Sequence, residues 1–103
     1  MANYSIKRDG TLSQVTIGGD LTASGVPELQ AALKAELETG ISELALDLGN
    51  ASMLDSSGIG LLIAAANSLS KKQGKMRVLN VSAEIFHLLQ SMRLTARLNV
   101  SGR

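Results

Sequence analysis

The chain has 103 residues, no cysteine, one Phe, one Tyr, no Trp and a formal charge of +1. Without cysteine there is no disulfide framework, thiolate metal site or thiol nucleophile. The near-neutral charge, with basic residues scattered along the sequence and almost no aromatics for base stacking, argues against a nucleic-acid surface. The apolar fraction of 45% suits one globular core in a chain of about the commonest domain size. The longest apolar run, Gly60 to Ala66, is too short to cross a bilayer. No apolar run follows Met1-Ala2-Asn3-Tyr4-Ser5 as it would in a secretory leader. A single domain over 1–103, cytoplasmic, with no nucleic acid and no membrane insertion, is the expectation.

In chain order, Ser5-Ile6-Lys7-Arg8 and Leu12-Ser13-Gln14-Val15-Thr16-Ile17 flank Asp9-Gly10, the pattern of a tight β-hairpin. Gly18-Gly19-Asp20 closes the second strand. From Ser24 the period becomes helical: Val26, Leu29, Leu33 and Leu37 share a face, Pro27 sits in the tolerant first turn, and Gly40 stops the helix. Leu44-Ala45-Leu46-Asp47-Leu48 reads as a short strand buried on both faces. After the loop Gly49–Asp55, a second helix runs from near Ser57 to about Lys72, and Gln73-Gly74 ends it. Met76 to Val81 forms the next strand, and Ser82 caps a third helix to about Met92. In that helix Ile85, Leu88, Leu89 and Met92 are spaced to pack. A weak last strand falls within Leu94–Val100. The order ββαβαβαβ predicts an α/β fold: a mixed, mostly parallel sheet with an N-terminal hairpin and three helices.

Projected at 100° per residue, the second helix puts Ile59, Leu62, Ile63, Ala66 and Leu69 on one side. Leu61, Ala64, Ala65 and Ser68 fall on the other, with too little charge for a fully solvated face. Two readings are open: another layer of the same domain covers this flank, or it is a partner surface close to Asp55-Ser56-Ser57-Gly58. Those four residues stand where a helix begins. The unpaired N–H groups and positive dipole end there favour Asp or Ser caps, and also accommodate a phosphate.

Catalysis finds little support. A nucleophilic serine needs a base in reach, and the one histidine, His87, sits on the third helix with no carboxylate at a telling spacing. The serines precede Gly58-Ile59-Gly60 and do not stand between glycines as in a nucleophile elbow. Neither a dinucleotide fingerprint nor a P-loop is complete. No His, Asp or Glu cluster has metal-ligand spacing, so no metal or cofactor is expected. Asp9, Asp20, Asp47 and Asp55 lie at strand ends, where turns and caps account for them. A binding module, not an enzyme, is the expectation.

Leu44-Ala45-Leu46-Asp47-Leu48 followed by Met53-Leu54-Asp55-Ser56-Ser57-Gly58-Ile59-Gly60 closely resembles the signature of the STAS domain, and within it the bacterial anti-sigma factor antagonists. The Gly19-Asp20-Leu21 turn and Val81-Ser82-Ala83-Glu84-Ile85 follow in family order, so the likeness covers nearly the whole chain. It implies a partner switch. The unphosphorylated antagonist would bind an anti-sigma factor that is itself a serine kinase of the histidine-kinase-like ATPase fold, freeing the sigma factor. Phosphorylation of the serine after the Asp, here Ser56, would break the complex, and a metal-dependent PPM-type serine phosphatase would restore it. Ser57 is the second candidate for the phosphoacceptor. The implied partner-binding residues are Asp55, Ser57, Gly58, Gly60, Leu61, Ala64 and Ala65, with Gly58 and Gly60 giving the partner backbone close access. The sequence departs from the family at Thr22, where members often have an acidic residue, and at Met92-Arg93-Leu94, where Ser-Gly-Leu is common. It also stops after the last strand, where many members continue into a fourth helix. The alternative is a STAS scaffold that is never phosphorylated, such as an accessory subunit of a lipid-transport ATPase.

Overall fold

A computed structural model describes residues 4–103; the leader-free reading of Met1, Ala2 and Asn3 lies outside them. Eight elements follow one another: β1 (Tyr4–Asp9), β2 (Leu12–Ile17), α1 (Val26–Glu38), β3 (Glu43–Asp47), α2 (Ser56–Lys71), β4 (Lys75–Val81), α3 (Ala83–Ser91) and β5 (Val100–Gly102). β1 and β2 pair antiparallel, with Gly10 at φ +63° in the turn, a conformation that suits glycine. β2, β3, β4 and β5 pair parallel, and the sheet order β1-β2-β3-β4-β5 repeats the chain order.

That order has a geometric consequence. Each crossover moves one strand further in the same direction, so connections of the usual right hand put all three helices on one face. Burial agrees. Ser13, Val15 and Ile17 of β2, Leu44 and Leu46 of β3, and Met76 and Val78 of β4 are buried, while Gln14, Lys75 and Arg77, which alternate with them, are exposed. The opposite face is open and polar, with an Arg77–Glu43 ion pair at 2.6 Å. β3 is buried throughout its centre, as its sequence suggests, but only one of its faces lies beneath helices. On the other face the small Ala45 is flanked by the longer Gln14 and Arg77 of the neighbouring strands.

The buried Ser13 hydroxyl donates to Glu36 Oε1 at 2.7 Å, and Arg8 donates to Glu36 Oε2 at 2.6 Å. This network ties the hairpin to α1 and leaves Ser13, the buried polar side chain among the described residues, satisfied. The Arg8 and Ser13 hydrogen bonds hold the Glu36 carboxyl below its ordinary range.

Two sequence expectations change. On α3, Ile85 and Leu89 are buried, but Leu88 and Met92 are 37% and 46% exposed. The helix has only nine residues and rests on the sheet along one narrow stripe, so half of its apolar positions face outward. The last strand comes later than expected. Residues 94–99 instead form a helical turn in which the Leu98 N–H donates to the Leu94 carbonyl at 2.9 Å. Leu94 and Leu98 are both core residues four apart, a helical spacing and not a strand one. Asn99 leaves this turn at φ +49°, and β5 starts at Val100.

Candidate functional site

All parallel strands point the same way, so the loops after β2, β3 and β4 and the N-termini of all three helices gather at one end of the molecule. There the segments 18–25 and 49–55 run side by side, joined by a parallel bridge between Leu21 and Leu54. Leu21 N–H donates to the Met53 carbonyl at 3.3 Å and Asp55 N–H to the Leu21 carbonyl at 3.3 Å. Leu21, Ala51 and Leu54 point into the core, which fixes both segments from below.

Two aspartates complete the arrangement. Asp20 Oδ1 accepts from Ser52 N–H at 2.7 Å, Ser52 Oγ at 3.1 Å and Met53 N–H at 3.1 Å. These bonds, the Ser52 backbone first, stabilise its anion and lower its pKa. Asp55 has extended backbone and is the N-cap of α2; its Oδ1 accepts from Gly58 N–H at 2.9 Å. Its Oδ2 accepts from Ala23 N–H, also at 2.9 Å. The Gly58 bond and then the Ala23 bond hold its pKa down. The loop that carries Thr22 supports the site through the backbone of its neighbour Ala23.

Ser56 and Ser57 therefore do not cap the helix, because Asp55 does. Both are exposed in the first turn of α2, and among the described residues neither hydroxyl has a hydrogen-bond partner in the protein. Ser56 lies on the outward ridge of α2, followed at helical spacing by Gly60, Ile63 and Asn67.

The structure revises part of the expected partner surface. Leu61 and Ala65 are 6% and 4% exposed, and both belong to the core cluster. α2 is packed on two sides, by the sheet beneath and by α1 beside it, so its buried arc is wider than a single stripe. Only Ala64 of that flank remains exposed, and with Ser68 it borders a groove of about 210 Å³ between α1 and α2. Gly58 is also buried. A β-carbon there would lie 2.4 Å from the Leu21 carbonyl oxygen and 2.8 Å from Leu54 Cδ1. The close approach it permits is to its own domain and not to a partner. Gly60 is the open one, with nothing within 4 Å of an added β-carbon.

His87 lies away from these serines, lining a cavity with Phe86, Gly102 and Arg103 on the β5 side. Among the described residues no group of three His, Asp or Glu is placed to hold a metal ion, and no helix is long and apolar enough to cross a membrane. Sequence reading missed Met53, an exposed residue of the same loop, and the wider role of Asp20. Its signals for Asp20 were an acidic residue at a strand end and the Gly19-Asp20-Leu21 turn, neither of which points to Ser52 or Met53.

A chain-ordered mixed sheet with its helices on one face, and a capped helix mouth presenting a free serine, define an α/β binding module of the STAS class. The family described as "Mlab, STAS domain" matches residues 5–100. The anti-sigma-B factor antagonist of Staphylococcus aureus is 30% identical over 88 residues, covering 85% of this chain and 82% of that protein. An anti-sigma factor antagonist from Mycobacterium paratuberculosis superposes with a TM-score of 0.87 at 19% identity, over 100% of this chain and 87% of the other. The Bacillus cell fate determinant SpoIIAA in its phosphorylated form gives 0.80 at 18% identity, over 98% and 91%. At such identities the structural likenesses establish the fold. The chain belongs to the STAS-domain family, among the anti-sigma factor antagonists.

Proposed function

We propose that this chain is the phosphorylatable half of a partner switch, with Ser56 as phosphoacceptor and Ser57 as the second candidate. Unphosphorylated, it binds an anti-sigma factor that is a serine kinase of the histidine-kinase-like ATPase fold. Transfer of the ATP γ-phosphoryl group to Ser56 Oγ breaks that complex, and a PPM-type phosphatase removes the group. The chain contributes binding and an acceptor hydroxyl, not catalysis.

The observation that supports this most is the division of labour at the helix mouth. Asp55 caps α2, which leaves the Ser56 hydroxyl exposed and without a structural task. A phosphate there adds about −1.5 to −2 charges. It sits at the positive dipole end of a 16-residue helix, where the domain tolerates it. The cost falls on the complex, since a hydroxyl against a partner becomes a large hydrated anion, and about 1.4 kcal/mol already changes affinity tenfold. Asp55, Ser57, Gly60 and Ala64 complete the contact surface in this reading. Gly58, Leu61 and Ala65 support it from beneath. SpoIIAA, a structural relative, is known in both a phosphorylated and an unphosphorylated form, which accords with this reading.

The test is intact-mass measurement after incubation with ATP and a lysate of the source bacterium in which kinase activity has been verified. Wild type, Ser56→Ala and Ser57→Ala are compared. A single phosphoryl adduct lost only in Ser56→Ala supports the assignment. Loss only in Ser57→Ala moves the acceptor by one residue, and no adduct in any sample favours an unphosphorylated scaffold.

A further inference from the structure

We propose that the end of the molecule around Ser56 docks onto a cationic partner surface that contains an apolar socket for Met53. The inference rests on the antagonist reading above and specifies the chemistry of the surface its anti-sigma partner presents.

Met53 is 58% exposed, more than any other large apolar side chain of the described residues. It cannot turn inward, because Ala51 and Leu54 on either side already fill the core beneath the loop. Nor is its backbone free. Its N–H donates to Asp20 Oδ1, its carbonyl accepts from Leu21 N–H, and the preceding Ser52 is held by the same Asp20 oxygen. An apolar side chain carried outward on an ordered backbone loses little further freedom when it binds, and this is the property of an interface anchor. Its flexible thioether fits irregular apolar sockets. Met53 stands three residues from Ser56 on one continuous segment, so a phosphoryl group on Ser56 falls at the same contact.

Charge supplies the other half of the argument. Basic residues look scattered in the sequence, but in the fold they lie mostly away from Ser56, where Arg8 and Arg77 pair with Glu36 and Glu43. Asp20, Glu28, Asp55 and Glu84 belong to the loops and first helical turns at the Ser56 end, and Asp47 is the last residue of β3 beside them. The basic side chain described there is Arg103, whose guanidinium donates to the Gly49 and Asn80 carbonyls. Lys71, Lys72, Lys75, Arg93 and Arg97 lie at the far ends of α2 and α3 and around the start of β4. A formal charge of +1 thus hides an acidic docking end. Such an end draws a cationic surface towards itself and governs the rate of encounter, while the buried anchor governs dissociation. A phosphate on Ser56 adds to the long-range attraction, so it breaks the complex through contact at the interface, by faster release.

Binding kinetics separate these roles. The anti-sigma-B factor of Staphylococcus aureus serves as the immobilised probe, with wild type, Met53→Ala, the double variant Glu28→Gln/Glu84→Gln and Ser56→Asp in solution. Met53→Ala is expected to dissociate at least about tenfold faster with an unchanged melting temperature. The double variant is expected to associate several-fold more slowly at about 20 mM salt, with unchanged dissociation, and to match wild type at about 500 mM. Met53→Ala binding like wild type, while Ser56→Asp does not bind, overturns the anchor and leaves the antagonist reading intact. An association rate indifferent to salt and to the double variant overturns the cationic surface. Failure of wild type itself to bind counts against the antagonist reading.

Discussion

Gly58 lies so close to Leu21 that a β-carbon added to it would stand 2.4 Å from the Leu21 carbonyl oxygen. That oxygen also accepts the Asp55 N–H, so the contact sits where the two site loops are stitched together. Gly58→Ala must push backbone apart and is expected to destabilise by about 1–3 kcal/mol. Gly60, two residues on, has open space around it and an ordinary helical backbone. Gly60→Ala is expected to raise stability by about 0.5–1 kcal/mol through helix propensity while weakening partner binding. Thermal melts of both variants, with binding measured beside them, distinguish a glycine needed by the fold from one needed by the interface.

The Asp55 carboxylate has two tasks, capping α2 through Gly58 N–H and holding the α1 loop through Ala23 N–H. Asp55→Asn keeps one acceptor oxygen and is expected to preserve most of the cap while losing the second link. Asp55→Ala loses both and is expected to melt lower than Asp55→Asn. Hydrogen exchange at the Ala23 amide should rise in both variants, whereas that at the Gly58 amide should rise mainly in Asp55→Ala.

Three carboxyls, Asp20, Glu36 and Asp55, have pKa values lowered by hydrogen bonds that exist only in the folded chain. A lowered folded-state pKa means that the contribution is present above the unfolded-state value and fades as pH falls through the folded one. The melting temperature is therefore expected to decline on the acid side, beginning near the ordinary carboxylate pKa and continuing below it. Melts taken from neutral to strongly acid pH should show this limb, and it should flatten in an Asp20→Asn/Glu36→Gln/Asp55→Asn variant. A variant as acid-sensitive as wild type would assign the limb to other groups.

Leu61 and Leu88 look equivalent as apolar residues of amphipathic helices, yet only the first is buried. Leu61→Ala leaves a hole between α2 and α1 and is expected to cost about 2–5 kcal/mol. Leu88→Ala removes a partly exposed side chain and is expected to cost well under that, within about 1 kcal/mol. Urea unfolding of the two variants checks the revised boundary between core and surface.

The parts of the fold that depend on neighbours in sequence were legible in it. Asp9-Gly10 between alternating segments defines the hairpin, Ser82 placed before an apolar period marks the start of α3, and Asp55 placed before Ser56-Ser57-Gly58 marks that of α2. The errors have a common origin. A helical projection assumes one buried stripe, but α2 has two packing partners, so Leu61 and Ala65 moved from the expected docking face into the core. α3 is short and packed along one edge, and Leu88 and Met92 moved the other way. Gly58 kept its importance but changed its partner, from another molecule to Leu21.

By itself the sequence determined the α/β order, the helix mouth at Asp55 and the family, since strand period, helix period and caps are local properties written over a few residues. Only the tertiary structure tied the Asp55 carboxylate to Ala23, 32 residues earlier, alongside its local cap bond to Gly58. Only the tertiary structure brought Asp20 to Ser52 and Met53 and set Glu28, Asp55 and Glu84 at the same end of the molecule. Hydrogen bonding and charge act through space, and a parallel sheet collects loops that its own chain keeps far apart.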